Sequence, residues 1–211
     1  MANIDFIHLV VPGFLDSFWP RLIKRFFDIL FSFTLLAIFS PLIFVLWFFS
    51  SIDTGLNGFF SQIRIGQYGN QFLIFKIRTM RPSDKVSSIT ILGDSRVTKL
   101  GSILRRLKLD ELPQLYNIFI GDMSFVGPRP DVPGFADCLR GRDRLILKVK
   151  PGITGLATLK YRSEEGLLAN QVDPESYNKS VVWPDKVRLN LKYITNWSLL
   201  LDLKIILRTI L

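Results

Sequence analysis

Lys24-Arg25-Phe26-Phe27-Asp28-Ile29-Leu30-Phe31 opens the stretch whose reading decides the fold, and Phe39-Ser40-Pro41-Leu42 lies in its middle. Residues 26–49 are almost unbroken apolar, with Asp28 as the charged exception. Roughly 20 apolar residues span a bilayer, so the run is long enough. Two features argue against a simple span. Pro41 offers no N–H to the carbonyl of Ala37 and its ring crowds that carbonyl, so a helix bends or breaks there. The Ser40 hydroxyl is placed to bond a carbonyl one turn back and steady the bend. The halves 26–39 and 42–49 are each too short to cross alone. The second feature is charge: Arg21, Lys24 and Arg25 hold the N-terminal end in the cytoplasm, and the basic chain that follows belongs there too. A helix that enters, breaks at Ser40-Pro41 and returns to the same face meets both conditions; a kinked single span is the competing reading. Before it, residues 1–20 carry Asp5 and Asp16 and read as a short extension with an interfacial helix near Phe14 to Trp19. No basic opening and no small-residue cleavage site mark a signal peptide, so the apolar segment is expected to stay in the mature protein.

Outward from that segment, 211 residues suit one ordinary domain with a membrane appendage. Hydrophobic content is 48% and mean hydropathy +0.29, high for a fully soluble chain. Net charge is +9 and the pI about 9.8, which calls for an anionic partner: nucleic acid, anionic lipid or a phosphorylated substrate. Cys138 is the single cysteine and excludes an internal disulfide. The division expected is an extension at 1–20, a re-entrant membrane helix at 21–52 and a cytosolic or interfacial domain at 53–211.

The fold class expected for that domain is α+β: small, mostly helical, with a β-hairpin and interfacial amphipathic helices. Asp53 to Gly58 is a turn cluster. Phe59 to Ile65 and Phe72 to Ile77 read as strands about Gly66-Gln67-Tyr68-Gly69-Asn70. Alternation puts Lys76 and Arg78 on one strand face, suited to an anion. Arg81 to Asp94 is polar and loop-like. Arg96 to Lys108 reads as a helix with Val97, Leu100, Ile103, Leu104 and Leu107 on its apolar face. A second short helix is expected from Asp110, with that residue as N-cap and Pro113 in the first turn. Pro130 to Leu139 suggests a further short helix, Lys150 to Gly155 a tight turn, and Asp185 to Trp197 a helix. Arg140 to Lys150 is a basic stretch, either a membrane-surface or anion-facing segment or simply a solvated face. The apolar end, Trp197 to Leu211, is too short to span and reads as interfacial, with Asp202 and Lys204 as its exceptions.

The chemistry concentrates between Leu109 and Pro130. Asp110 and Glu111 stand between a basic run (Arg105, Arg106, Lys108) and Pro128-Arg129-Pro130. Cations on both sides of paired carboxylates suit phosphates and a divalent metal. The flanking prolines hold Arg129 with little conformational freedom, which favours phosphate recognition. A carboxylate serves either as a nucleophile toward phosphorus or as a metal ligand, and spacing alone does not divide those roles between Asp110 and Glu111. No His/Cys cluster offers a zinc site, and the P-loop pattern is absent.

At these residues the chain resembles the bacterial sugar transferases, monotopic phosphoglycosyl transferases that start glycan assembly on polyprenyl phosphate. The resemblance covers Lys24 to about Leu207 and includes Lys24-Arg25-Phe26-Phe27-Asp28, Ser40-Pro41, Lys76 to Met80, Leu109 to Gln114, Gly121 to Pro130, Pro151 to Gly155 and Leu201-Asp202-Leu203-Lys204. It implies a re-entrant helix and a two-step reaction. Asp110 attacks the β-phosphate of a UDP-sugar and releases UMP; polyprenyl (undecaprenyl) phosphate then attacks the aspartyl-phosphosugar. It implies Glu111 as a Mg²⁺ ligand beside Asp110. Arg105, Arg129 and Ser124 match phosphate-binding motif positions, and Arg162 a nucleotide-side arginine. Lys76, Arg78 and Asp202 match further motif positions. It also implies the inner membrane, with catalysis on the cytoplasmic face. Leu156 to Tyr161 departs from the Trp-Ala-Gln-Val-Asn-Gly stretch of many relatives, where only the following Arg162 is kept. The chain resembles the minimal catalytic unit of such enzymes.

Two other classes compete. A non-catalytic basic adaptor on anionic lipid explains the charge and both apolar ends, but gives no reason for Asp-Glu between ordered arginines. A nucleic-acid binder is disfavoured because aromatics do not interleave with the basic runs. The expected partners are therefore a UDP-sugar, polyprenyl phosphate and membrane lipid; a homodimer, the sugar and the glycan stay open.

Overall fold

The computed structural model describes residues 18–82 and 93–211. The expected extension up to residue 17 and most of the polar segment after Arg81 lie outside the described residues.

Helix α1 runs from Phe18 to Thr54 with Pro41 inside it. Where a break is expected at Ser40-Pro41, the helix continues. Pro41 leaves the carbonyl of Ala37 without its usual donor, and the Ser40 hydroxyl donates to that same carbonyl at 3.1 Å. At 1.5 Å per residue the 37 residues extend about 55 Å, well beyond a hydrocarbon core of about 30 Å. Phe26, Phe33, Ile38 and Phe44 are each about 60% exposed, so α1 turns a broad apolar face away from the protein.

The hairpin follows as predicted. β1 (Phe59–Ile65) and β2 (Gln71–Ile77) pair antiparallel, with Phe60 opposite Lys76 and Gln62 opposite Ile74. α2 (Lys99–Arg106) starts at Thr98, whose hydroxyl accepts from the Gly101 N–H at 2.8 Å. Its apolar face is only partly used: Leu104 is buried, whereas Ile103 and Leu107 are exposed. A tight 3₁₀ turn, Leu109–Glu111, precedes α3 (Gln114–Ile120). The helix expected from Asp110 thus begins four residues later, at Pro113-Gln114, and Asp110 caps nothing.

β3 (Ser124–Val126) has no counterpart in the sequence reading, and neither has β4 (Gly152–Thr154), which pairs with it in parallel. The glycines read there as turn residues serve close packing instead. A Cβ on Gly152 would lie 2.1 Å from the Gly127 nitrogen, so backbone meets backbone at this point. Pro130 to Leu139 holds only a 3₁₀ turn at Ala136–Cys138. The basic stretch forms a 3₁₀ segment, Gly141–Lys148, whose Ile146 and Leu147 enter the core while Arg142 and Arg144 stay exposed. Five α-helices complete the chain, α4 (Leu156–Lys160), α5 (Glu164–Ala169), α6 (Pro174–Tyr177), α7 (Trp183–Thr195) and α8 (Leu199–Ile210), with a π-helical turn at Asn178–Val182 joining α6 to α7. One core gathers Ile65, Val126, Ile146, Leu147, Val187, Tyr193, Ile194 and Ile205. A second joins Ile74, Leu115, Ile118 and Met123 to Leu35, Leu36 and Phe39 of α1.

Helix α1 therefore touches the domain along most of its length. Arg25 donates to the carbonyls of Ile118 and Phe119 at 2.6 and 2.8 Å. Asp28 accepts from the Ser124 hydroxyl and the Phe125 N–H, each at 3.1 Å. The Phe33 ring packs at a tilt against Phe119, and at the far end Ser50 donates to the Arg78 carbonyl at 2.5 Å. Lys24 pairs with buried Asp202 at 2.5 Å, and Asp202 also accepts from Tyr193 (2.8 Å) and Trp197 (3.1 Å). That network is the reason for an aspartate inside an apolar helix. Asp202→Asn keeps an acceptor for Tyr193 but leaves Lys24 without its counter-charge. A loss of about 2 kcal/mol is expected, read as a lower thermal midpoint in detergent.

Candidate active site

The carboxylate pair sits where α2 turns into α3. Lys108 adopts φ 58° and ψ 20°, a left-handed conformation rare for a side chain of its size, and so reverses the chain into the Leu109–Glu111 turn. The turn folds inward, leaving Asp110 and Glu111 each only 7% exposed. β2 presents Lys76 from one side, its Nζ 3.2 Å from Glu111 Oε1. The turn after β3 presents Arg129 from another, with Nη2 2.5 Å from Oε1 and Nη1 3.4 Å from Oε2.

That turn is itself pinned at both ends. Gly127 N–H donates to Thr154 O and Gly152 N–H to Pro128 O. On the other side Ile65 N–H donates to Asp131 O, and Arg64 Nη1 to Pro130 O at 3.3 Å. Burial alone would raise the Glu111 pKa, but the charges of Arg129 and Lys76 outweigh it and hold the carboxyl well below the usual range. The same exchange raises Arg129 further, chiefly through Glu111. Burial pushes Lys76 down, opposed by Glu111.

Asp110 is the opposite case. Its Oδ1 is buried without a hydrogen-bond partner among the described residues. Burial pushes its carboxyl up, with Lys76 working against the shift and Glu111 reinforcing it. The Gln114 side-chain nitrogen, four residues on, is also buried and unpartnered. Adjacent carboxylates therefore differ sharply: Glu111 is locked between cations, whereas Asp110 keeps an oxygen free for a ligand.

The other predicted residues divide. Arg105 comes within electrostatic reach of Asp110 but donates Nη2 to Glu165 and places Nη1 3.3 Å from the Met80 sulfur. Arg78 shares the face of Lys76, yet it lies over the Phe60 ring and donates to the carbonyls of Asn57 and Phe59. Arg162 is placed at the end of α8, where it donates to the carbonyls of Arg208 and Thr209 at 2.7 and 2.9 Å. Ser124 is fully buried on Asp28, and Asp202 belongs to the α1 anchor. Neither of the last two touches the carboxylate pair. Sequence reasoning missed Arg64 and Asp131, which flank Arg129. Burial raises the Asp131 carboxyl to about 6, against the charges of Lys186, Arg64 and Arg129. Arg64 alternates with Gln62 and Phe60 on the face of β1 that carries Lys76 across the ladder, so strand alternation was the available signal.

Among the described residues no group of three or more His, Cys, Asp or Glu converges as a closed metal cage. The donor set nevertheless fits a hard, water-rich cation. Asp110 offers a free oxygen, and Arg129 and Lys76 leave one acceptor position open on Glu111 Oε2. Mg²⁺ commonly takes one or two carboxylates and fills its remaining positions with water and phosphate oxygens.

A buried carboxylate with an unpartnered oxygen, set among cations in a chain whose first helix is long and apolar enough to cross a membrane, suits a membrane-associated group-transfer enzyme. The model of the bacterial sugar transferase family matches residues 19–211, and the chain belongs to that family. It is 33% identical over 189 residues to the uncharacterized sugar transferase EpsL of Bacillus subtilis, covering 90% of this chain and 86% of that protein. It is 33% identical to the exopolysaccharide production protein ExoY of Rhizobium meliloti, covering 89% and 83% of the two chains. The UDP-glucose:undecaprenyl-phosphate glucose-1-phosphate transferase of Klebsiella pneumoniae is 38% identical over 196 residues, which make up 89% of this chain and 39% of that longer protein.

Proposed function

We propose that this transferase moves a phosphosugar from a UDP-sugar to polyprenyl (undecaprenyl) phosphate, as the first membrane step of a glycan such as an exopolysaccharide. The observation that carries this reading is the unpartnered, buried Asp110 Oδ1 beside a Glu111 already clamped by Lys76 and Arg129. An Asp110 oxygen attacks the β-phosphorus of the UDP-sugar. The bond from that phosphorus to the bridging oxygen breaks, and the oxygen leaves with its electron pair on UMP. A phosphate oxygen of the polyprenyl acceptor then attacks the same phosphorus, and the Asp110 carboxylate leaves, giving polyprenyl diphosphosugar. Mg²⁺, held by Glu111 and the diphosphate with Asp110 adjacent, would neutralise the charge that repels an anionic nucleophile. Arg129 and Lys76 hold Glu111 in place and supply further positive charge, and Arg105 faces the phosphates from the end of α2.

The contacts of α1 support the same-face reading of the membrane segment. A simple crossing helix leaves its domain behind at one end, whereas α1 meets the domain from Lys24 to Ser50. With Arg21, Lys24 and Arg25 at its start, this favours insertion from the cytoplasmic face of the inner membrane, a re-entrant course through a helix bent rather than broken at Pro41, and a catalytic unit beginning near residue 53.

The test is UMP release by the full chain in detergent or nanodiscs, across a panel of UDP-sugars, with and without Mg²⁺ and undecaprenyl phosphate. Release that requires Mg²⁺ and turns over with the acceptor is expected for at least one sugar. No UMP from any member of the panel, with lipid binding intact, would leave the adaptor reading in its place.

A further inference from the structure

The proposed phosphate ligand Arg105 already holds an anion. Its Nη2 donates to Glu165 of α5, while among the described residues its other terminal nitrogen meets only the thioether of Met80. A thioether is a weak acceptor, so this guanidinium has one strong partner where a bidentate anion would supply two. The neighbouring Glu164 is bound in the same way, both oxygens 2.7 Å from Lys186 Nζ. Glu164 lies within electrostatic reach of Arg129, and Lys186 within that of Asp131. Two consecutive carboxylates thus cover Arg105, which faces Asp110, and Lys186, which faces Asp131 beside Arg129.

The segment that carries them is lightly tied. Among the described residues, these two ion pairs are the hydrogen bonds that leave α5 for other elements. The rest are local: Glu164 N–H to Tyr161 O, Leu167 N–H to Ser163 O, Asn170 Nδ2 to Gly166 O, Gln171 N–H to Leu168 O and Gln171 Nε2 to Leu167 O. No side chain caps the helix start at Ser163. Leu168 is buried and anchors the middle of the helix, whereas the Glu165 side chain is 44% exposed.

We propose that Glu165 is a stand-in for substrate phosphate on Arg105, and that the start of α5 is a strap which the diphosphate of the donor displaces. The inference rests on the phosphosugar-transfer reading. In the free enzyme the strap keeps the cationic rim neutral, so that a stray monoanion finds no strong site. A diphosphate, offering two phosphates to the Arg105 and Lys186 positions, displaces both carboxylates and leaves them to water.

The experiment uses the full chain in nanodiscs and inorganic pyrophosphate, UDP and uridine as probes. Glu165→Gln is expected to tighten pyrophosphate and UDP by about threefold, the scale of a partly exposed ion pair, and to leave uridine unchanged. In the Arg105→Gln background the same substitution is expected to change nothing. Hydrogen exchange of residues 164–169 in the wild type is expected to speed up when pyrophosphate is added. Unchanged or weaker pyrophosphate binding by Glu165→Gln overturns the proposal, as does an equal gain without Arg105 or slower exchange in α5 on binding. If Glu165→Gln unfolds, the exchange measurement on the wild type decides alone. A chain that binds pyrophosphate in this way but releases no UMP from any UDP-sugar would keep the strap and discard the transfer reading.

Discussion

Asp110→Asn protein folds, binds its membrane and releases no UMP: a drop of at least about 10⁴-fold is expected, the scale seen when a covalent nucleophile is removed. The amide keeps the size of the side chain but not the anionic oxygen that would attack phosphorus. The expected stability of this variant makes the result sharp. Asp110 Oδ1 makes no hydrogen bond, and burial already disfavours its charged form. Replacing it with a neutral group of the same shape removes a desolvation cost, so the thermal midpoint should hold or rise. A fully active Asp110→Asn enzyme would end its role as nucleophile. An inactive but destabilised one would point to a structural role.

Glu111→Gln should fail in the other direction. Its carboxylate is the shared counter-charge of Lys76 and Arg129. A neutral amide leaves two cations facing each other in a largely buried site, at an expected cost of about 3 kcal/mol, with activity lost alongside. Chemical denaturation of the two variants side by side should therefore separate them cleanly. The same ion triad has a pH signature. The folded-state pKa of Glu111 is depressed, so its stabilisation is fully present above the ordinary glutamate value of about 4.3 and is lost as pH falls toward the folded-state value. The wild type should lose stability steeply below that point. Glu111→Gln should show a flatter acid limb; an equally steep one would place the acid sensitivity elsewhere.

The sequence made the helix-forming and hairpin segments legible because their periodicity is strong. Gln71–Ile77 alternates, and residues 26–49 have almost nothing polar to interrupt them. The β3–β4 pair was not legible. Each strand is three residues long, and what joins them is the absence of side chains at Gly127 and Gly152, which no propensity scale registers. In the site, Asp110, Glu111 and Arg129 stood out by motif, and the structure brings Glu111 and Arg129 together. Lys76 was placed on the correct face by alternation alone. Arg78 was on that face too, yet it is spent on Phe60 and two carbonyls. Sequence gives direction but not reach. Arg162 and Ser124 illustrate a further limit: a motif position does not reveal whether a polar side chain faces solvent or bonds a distant helix.

The ion pair between Lys24 and Asp202 also sets an order of events during synthesis. The partners are 178 residues apart. At 5–20 residues per second the ribosome needs roughly 10 to 35 s to make the second after the first. For most of that interval the apolar helix is already made while Lys24 lacks its partner, and Asp28 waits for Ser124 through roughly the first half of it. The part of the chain made first is thus completed last. The bilayer, rather than the protein, must hold it in the meantime.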